Sequence, residues 1–354
     1  MTVVDNQALE QLYSDFTQAG VMALWTQRAD LMPDVPRASA VPRIWEWAQL
    51  LALAERAGRL VPVGRGGERR AIALANPGLG GAPFATPTLW AAIQYLAPKE
   101  LAPAHRHSQS AFRFVVEGEG VWTVVDGDPV AMRRGDLLLT PSMSWHEHHN
   151  TANEAMVWLD GLDIPLVAAL DAGFFELGPG ELTDRSTPYR SRSEALWAHP
   201  GLVPVARATA VPNSPLVAYR WSHTDEALDS QLDLERSCPD VTLEPGHAGV
   251  RFSNPSTGGD ALATMRLEMH RLSPGTKTAR TQSVGSSVWQ VFSGGGAVEL
   301  SGTTSLLNHG DVVAVPSWCP IAFQTTSGMD IFCFSDAPIY EALGLARTKR
   351  SPGS

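Results

Sequence analysis

Pro103-Ala-His-Arg-His107 opens and Ser144-Trp-His-Glu-His-His-Asn150 closes the stretch that decides the fold. Five of the chain's 10 histidines lie within it. Between the two histidine groups the chain consists of short apolar runs separated by Gly, Asp and Pro, a pattern typical of an antiparallel sandwich or barrel. The predicted strands cover residues 112–116, 120–125, 130–132, 137–140, 145–149 and 156–159. We therefore expect a small β-barrel that carries a histidine cluster.

The same unit recurs downstream. Phe114-Val-Val-Glu-Gly-Glu-Gly120 reappears as Gln290-Val-Phe-Ser-Gly-Gly-Gly296, and the turn Gly135-Asp136 reappears as Gly310-Asp311. From the first glycine of the motif to the Gly-Asp turn is 17 residues in the first copy and 16 in the second. Two landmarks at nearly the same separation predict two copies of one β-domain.

Helices are expected before and between the two copies. Apolar side chains recur at intervals of three and four in residues 5–20, with Asp5 or Asn6 as the N-cap. Residues 43–57 predict a second helix that ends at Gly58. A bridge rich in Pro, Ser and Arg contains a short predicted helix over residues 191–197, with Ser191 as its N-cap.

These patterns divide the chain into four parts. An N-terminal helical region and arm (1–84) precedes a catalytic barrel (85–175), and a bridging segment (176–240) leads to a degenerate second barrel (241–345). The fold class is therefore expected to be mainly β, with two antiparallel barrels and accessory helices.

The composition excludes several classes of protein. A chain of 354 residues that is 44% hydrophobic and 18% charged is large enough for two domains with full cores. A formal net charge of -10 argues against nucleic acid as a partner. The 3 cysteines have no C-x-x-C spacing, so we expect reduced thiols in a cytoplasmic protein. No segment approaches the roughly 18 apolar residues of a membrane span.

The histidine cluster has the spacing of a metal site. His105 and His107 are two residues apart and point to the same face of a strand, and we expect His146 to join them from the opposite side of the barrel. Three neutral imidazoles leave an octahedral ion with open positions for reaction. Because three histidines also suit zinc, an isomerase or hydrolase that uses Zn(II) or Mn(II) is an alternative.

These motifs resemble a known superfamily. Pro-x-His105-x-His107 and His146-(three residues)-Asn150, with a glycine turn and a proline between them, resemble the two motifs of the cupins. More narrowly, residues 105–118 and 140–150 resemble the gentisate 1,2-dioxygenase family, which also contains salicylate and 1-hydroxy-2-naphthoate dioxygenases. The resemblance implies a bicupin fold, Fe(II), O2, a small aromatic 2-hydroxy carboxylate as substrate, and a homotetramer.

One departure from other cupins bears on the substrate. Many cupins add a glutamate ligand about four residues after His-x-His, but residues 108–112 of this chain contain no carboxylate. A site without that ligand keeps the full charge of Fe(II), which suits a dianionic chelator such as a 2-hydroxybenzoate.

Strand parity indicates two candidate catalytic residues that also bind substrate. Arg113 would share the face of His107 if that strand continued past a small irregularity, and His148 shares the face of His146, whereas His149 points away. An inward arginine suits an anionic substrate. His148 could donate to the same ligand or take the proton of a hydroxyl.

Four further substrate contacts follow from the resemblance alone. Arg69, Trp90 and Gln94 match family positions near the aromatic ring, and Asp160 matches one near its far side. Trp90 could equally be ordinary core on a helix face.

The second copy lacks these residues. Thr281 and Ser283 stand where the first two histidines stood, and Trp289 replaces the arginine. Ile321 and Phe323 replace the remaining two histidines. We expect this copy to bind no iron and to complete the fold and a subunit interface.

The sequence therefore predicts an Fe(II)-dependent, extradiol-type dioxygenase that uses O2 to open gentisate between its carboxyl- and hydroxyl-bearing carbons. Salicylate, substituted salicylates and 1-hydroxy-2-naphthoate are alternative substrates. A metabolite-binding cupin without catalysis is the second alternative.

Overall fold

The computed structural model describes residues 6–61, 70–178 and 188–351, without the side chains of residues 28–30. The chain divides into an N-terminal unit that ends at Arg37 and a second unit that begins at Ala38. The N-terminal unit contains the predicted helix, α1 (Asn6–Gln18), and a second helix, α2 (Leu24–Leu31). No helix in the described residues is long and apolar enough to cross a membrane.

The helix predicted over residues 43–57 is wrong at both ends. Strand β1 (Arg43–Trp45) occupies its beginning, and helix α3 (Trp47–Leu60) continues through Gly58. Gly58 is a contact point rather than a helix end, because a Cβ there would lie 2.8 Å from the ring of Tyr95. Tertiary partners set both ends of this helix, and the local pattern does not contain them.

The first barrel consists of two antiparallel sheets. Its strands are β2 (Ala71–Ala73), β3 (Trp90–Leu96), β4 (Leu101–His107), β5 (Ala111–Glu117), β6 (Glu119–Val125), β7 (Asp128–Arg133), β8 (Leu137–Thr140), β9 (His146–Asn150), β10 (Met156–Leu162), β11 (Phe175–Leu177) and β12 (Ala218–Tyr219). The larger sheet has the order β12-β8-β5-β10-β3-β2, and the smaller has β11-β4-β9-β6-β7. All strands predicted between residues 112 and 159 are present, and Trp90 lies on a strand, so its placement on a helix face is wrong.

The second barrel repeats this arrangement. Its strands are β13 (His247–Arg251), β14 (Arg266–Leu272), β15 (Arg280–Ser283), β16 (Ser287–Gly294), β17 (Gly296–Leu300), β18 (Thr303–Leu307), β19 (Val312–Val315), β20 (Ile321–Gln324), β21 (Met329–Ser335) and β22 (Thr348–Ser351). The sheet orders are β1-β19-β16-β21-β14-β13 and β18-β17-β20-β15-β22. The predicted bicupin fold is confirmed.

The remaining helices are α4 (Ile164–Ala169), α5 (Arg192–Trp197), α6 (Trp221–Leu234) and α7 (Ala337–Ala342). Of these, α4 and α7 each precede the last strand of a small sheet, and α5 and α6 flank β12. Ser191 caps α5 as predicted, and Glu194 completes a capping box with it. Helix α6 was not predicted. The internal repeat could have predicted it, because α6 is the counterpart of α3: both helices have 14 residues and begin with tryptophan.

The repeat is larger than the barrels, because each copy begins with an edge strand that joins the other barrel. Strand β1 precedes α3 and pairs with β19 of the second barrel. Strand β12 precedes α6 and pairs with β8 of the first. Helices α3 and α6 then pack on their own barrels, against β3 and β13. The two copies therefore exchange their first strands.

The repeated Gly-Asp turns receive the exchanged segments. The Trp47 N–H donates to Asp311 (2.8 Å) and the Trp221 N–H donates to Asp136 (3.0 Å). A Cβ on Gly310 would lie 2.1 Å from Trp47, and one on Gly135 would lie 2.7 Å from Trp221. Both glycines also have positive φ, 86° and 84°. The Gly-Asp turns that identify the repeat in the sequence are thus the places where each exchanged segment contacts the other barrel.

The large sheets of the two barrels pack face to face. Phe112 and Phe114 of β5 project from the first barrel onto Phe332 and Phe334 of β21. The rings of Phe114 and Phe332 are stacked with centroids 4.2 Å apart, and those of Phe112 and Phe334 meet edge to face at 4.8 Å. The alternate residues of β5 point into the first barrel, so β5 is buried on both faces.

Two buried carboxylates join the barrels in the same reciprocal way. Asp163, which precedes α4, accepts hydrogen bonds from Ser110 N–H and from the hydroxyl of Thr264 in the second copy. Asp336, which precedes α7, accepts from Ser286 N–H and from the hydroxyl of Thr88 in the first copy. Burial raises the pKa of Asp163 and raises that of Asp336 to about 6.

Candidate metal centre

The smaller sheet of the first barrel brings three histidines together. His105 and His107 lie on β4, and His146 begins β9, the neighbouring strand, directly opposite His105. The placement of His146 on the opposite side of the barrel is therefore wrong. The His146 ring centroid lies 4.1 Å from that of His105 and 4.9 Å from that of His107. Cross-strand pairing, rather than barrel closure, forms the cluster.

Backbone hydrogen bonds orient all three rings. Each Nδ1 lies within hydrogen-bond distance of a backbone carbonyl two residues away along the chain: 2.8 Å for His105, 2.9 Å for His107 and 3.0 Å for His146. A ring that donates through Nδ1–H presents the lone pair of Nε2. The possible ligand atoms of the three residues lie within 4.8 Å of one another.

The donor set fits a metal ion. His146 is fully buried, and its Nε2 has no hydrogen-bond partner among the described residues. Burial, followed by the charge of Arg113, holds the pKa of His146 well below its ordinary value, so this imidazole is neutral. A buried acceptor without a donor is costly unless an electrophile occupies the site. The cluster consists of three histidines without a carboxylate.

A cavity of about 290 Å³ lies beside the cluster. Seven of the predicted site residues line it, and two of these seven are the first two histidines of the cluster. The polar lining residues are Trp90, Gln94, His105, His107, Arg113, His148 and Asp160. The apolar lining residues, which the sequence analysis missed, are Ala71, Ala102, Ala111, Leu162 and Ile164. Strand parity could have found Leu162, which shares the face of Asp160 on β10. Arg69 lies outside the described residues.

Arg113 reaches the cavity by a different route from the one expected. The chain turns after His107, and Arg113 lies on β5 in the larger sheet, across the barrel from the histidines. Its Nη1 donates to the Thr140 hydroxyl at 2.6 Å, and its Nε lies 3.6 Å from Asp160, its cross-strand neighbour on β10. Trp158 donates to the same carboxylate at 3.1 Å. The guanidinium is therefore buried and held from two sides.

His148 and His149 diverge as predicted. His148 is buried, lines the cavity and has its ring 5.7 Å from the ring of Trp158. The ring of His149 is partly exposed and lies 3.0 Å from the carboxylate of Glu147. Alternate residues of β9 thus separate the cavity wall from the outer face of the sheet.

The second barrel fills the corresponding volume with apolar side chains. Thr281 pairs with Ile321 across the sheet, as His105 pairs with His146 in the first barrel. The Trp289 ring lies 5.0 Å from the Phe323 ring, within a cluster that includes Ile321. In the part of the chain that the structure describes, no second group of three His, Cys, Asp or Glu side chains converges on one point.

Fold and site together define a cupin with a three-histidine metal site in one of two barrels. The cupin domain model matches residues 92–162. The gentisate 1,2-dioxygenase of a Streptomyces species is 62% identical over 346 residues, which cover 98% of this chain and 96% of that protein. This chain therefore belongs to the gentisate 1,2-dioxygenase family of ring-cleaving enzymes, which also includes salicylate and naphthoate dioxygenases.

Solved structures agree with this assignment. The salicylate 1,2-dioxygenase of Pseudaminobacter salicylatoxidans is 56% identical, covers 97% of both chains and has a TM-score of 0.94. A structure of salicylate 1,2-dioxygenase from the same source as its adduct with gentisate is 55% identical over 99% of this chain and 96% of that one, with a TM-score of 0.96.

Proposed function

We propose that this protein is an Fe(II)-dependent dioxygenase that opens the ring of gentisate between the carboxyl- and hydroxyl-bearing carbons. The observation that carries the proposal is the convergence of three histidine side chains, without a carboxylate, beside a cavity that contains a buried arginine. When bound, Fe(II) supplies open coordination positions for a chelating substrate and for O2, and a path for electrons between them.

Charge balance favours a 2-hydroxybenzoate dianion. Histidine binds a metal as the neutral imidazole, so three histidine ligands would leave both positive charges of the ion uncompensated, and the carboxylate and phenolate of one substrate would balance them. Within the protein, Arg113 and Asp160 already balance each other at 3.6 Å. A dianion would therefore enter this cavity without leaving a net buried charge.

The chain's own residues orient the substrate. We assign Arg113 to the substrate carboxylate, because the contact with Thr140 fixes the direction of its guanidinium. We assign His148 to the phenolic oxygen, either as a donor or as the acceptor of its proton, since it shares the cavity wall with the metal ligands. Trp90, Gln94 and Asp160 would contact the ring, and Arg69 remains a proposed contact.

Salicylate is the second candidate substrate, because the similar solved structures are of a salicylate 1,2-dioxygenase. Oxygen uptake by the purified iron form should be measured on gentisate, salicylate, substituted salicylates and 1-hydroxy-2-naphthoate, with iron content determined in parallel. We expect the highest kcat/KM on gentisate. Absence of uptake on every hydroxybenzoate, with stoichiometric iron present, would reject the proposal, and activity with Zn(II) or Mn(II) but no uptake would favour an isomerase or hydrolase.

We further propose that the protein works as a cytoplasmic homotetramer, as the family resemblance implies. Sedimentation velocity of the iron form would test the assembly, and a monomer with full activity would reject it.

A further inference from the structure

We propose that Arg106 is a positioning residue that holds the metal-binding strand β4 in place from outside the cavity. This inference rests on the part of the proposed function that assigns the metal to the three histidines, and it does not depend on ring cleavage. Arg106 lies between His105 and His107, and its side chain therefore projects from the opposite face of the strand. Arg106 is not among the residues that line the cavity.

Arg106 contacts the two segments that flank β4. Its Nε and Nη2 donate to the Glu176 carboxylate at 2.7 and 2.6 Å, and Glu176 is its register partner on the edge strand β11. Its guanidinium carbon lies 4.6 Å from the ring centroid of Trp145, the residue before the third ligand. One side chain thus connects the strand that carries two ligands to the residue beside the third.

The ladders around β4 are short where this clamp acts. On one side, the pairing of β4 with β9 is interrupted by an irregularity between Ala102 and His105. On the other side, β11 is an edge strand of three residues whose Phe175 and Leu177 side chains are 47% and 69% exposed. The side-chain contacts of Arg106 therefore add to the backbone pairing at this end of β4 and extend it to the segment beside the third ligand.

The second barrel offers an internal comparison. Gln282 occupies the position of Arg106, and its register partner on β22 is Lys349 where β11 carries Glu176. Pro320 occupies the position of Trp145. The barrel without metal ligands has thus also lost all three members of the clamp, although it keeps the strands. A clamp required only for the barrel fold would be expected in both copies.

The test is the affinity of the full-length protein for Fe(II) under anaerobic conditions, by competition with a chromogenic chelator, together with the rate of iron release. We expect Arg106→Ala to raise the Kd for Fe(II) roughly three- to tenfold and to speed iron release by a similar factor, as removal of a half-exposed ion pair and a cation–π contact allows. Arg106→Lys should recover part of the loss, since it keeps the charge but not the planar fork.

Arg280→Ala is the matched control. Arg280 lies on β15, the counterpart of β4, and forms a partly exposed ion pair with Glu299 on β17. If both arginine variants lower the thermal midpoint of the metal-free protein equally and leave the Kd for Fe(II) unchanged, Arg106 has only a structural role and the proposal is overturned. Should Arg106→Ala fail to fold, Glu176→Gln and Arg106→Lys give the same comparison. A wild type that binds no iron would reject the proposed function as well, whereas one that binds iron without oxygen uptake leaves this inference testable.

Discussion

The two barrels share strand order, turns and docking glycines, but they differ in the side chains at the positions of the histidine cluster and of Arg113. At equivalent positions, His146, His148 and Arg113 of the first barrel are replaced in the second by Ile321, Phe323 and Trp289. The fold therefore does not require the metal-site residues, and the metal-site residues do not determine the fold. Substitutions in matched pairs, one in each barrel, can separate what serves the reaction from what serves the scaffold.

The largest effect is expected at the third ligand. His146→Ala should abolish bound iron and lower kcat/KM at least about 1,000-fold, while the fold survives, because the apolar counterpart Ile321 already occupies this position in the second barrel. Iron content, oxygen uptake and circular dichroism would measure this. Phe323→Ala, the control in the second barrel, should cost about 3 kcal/mol of stability and keep the iron. Retained iron in His146→Ala would place the third ligand elsewhere.

The next effect concerns the exchanged segments. Gly310→Ala should destabilise the protein by about 4 kcal/mol, since it adds a side chain at positive φ with its Cβ 2.1 Å from Trp47. Gly135→Ala, with its Cβ 2.7 Å from Trp221, should cost somewhat less. Urea unfolding of both variants gives the comparison. If the unfolding free energy fell by less than about 1 kcal/mol in both variants, the tryptophan side chains would move aside at little cost and the predicted steric conflict would be wrong.

Removing the guanidinium of Arg113 should weaken substrate binding and leave metal binding unchanged. We expect Arg113→Ala to keep stoichiometric iron and to lower kcat/KM about 100-fold, mainly through KM, as for the loss of a charged pair of about 2.7 kcal/mol. Trp289→Ala removes the counterpart residue and should lower stability without changing kcat/KM. Unchanged kinetics in Arg113→Ala would place this arginine outside the substrate's reach.

The smallest effect is the pH dependence contributed by the reciprocal carboxylates. Because the pKa of Asp336 is raised to about 6 in the folded protein, the folded state binds this proton more tightly than the unfolded chain. Its contribution to stability is therefore fully present below about pH 4 and is lost as the pH rises towards 6. Asp336→Asn should raise the unfolding free energy at pH 8 by about 1–2 kcal/mol relative to the wild type and leave it unchanged near pH 4. A gain of equal size at both pH values would contradict this assignment. Asp163→Asn is the partner variant in the first barrel.

Most of the fold could be predicted because short strands and the repeated Gly-Asp turn are local features. The beginning of α3 could not, since Asp311, 264 residues away, and strand β19 set it. Parity placed His148 and separated it from His149, because both lie on one regular strand. It failed as an argument for Arg113, which reaches the cavity from a different sheet, and it missed the adjacency of β4 and β9, since strand order is not a local property.

The exchange of β1 and β12 has a consequence for the history and folding of the chain. The second barrel cannot complete its large sheet from a contiguous segment, because β1 precedes the whole first barrel in the chain. With β12 paired to the first barrel in return, the arrangement amounts to a domain-swapped dimer fused into one polypeptide. Deleting the barrel that lacks metal ligands would leave β1 without its neighbour and expose Phe112 and Phe114. Single substitutions can therefore remove the metal-site residues of the second barrel, whereas loss of the whole barrel would disrupt the first copy as well. During synthesis, the metal-binding barrel must likewise wait for residues 218–219 before its sheet is complete.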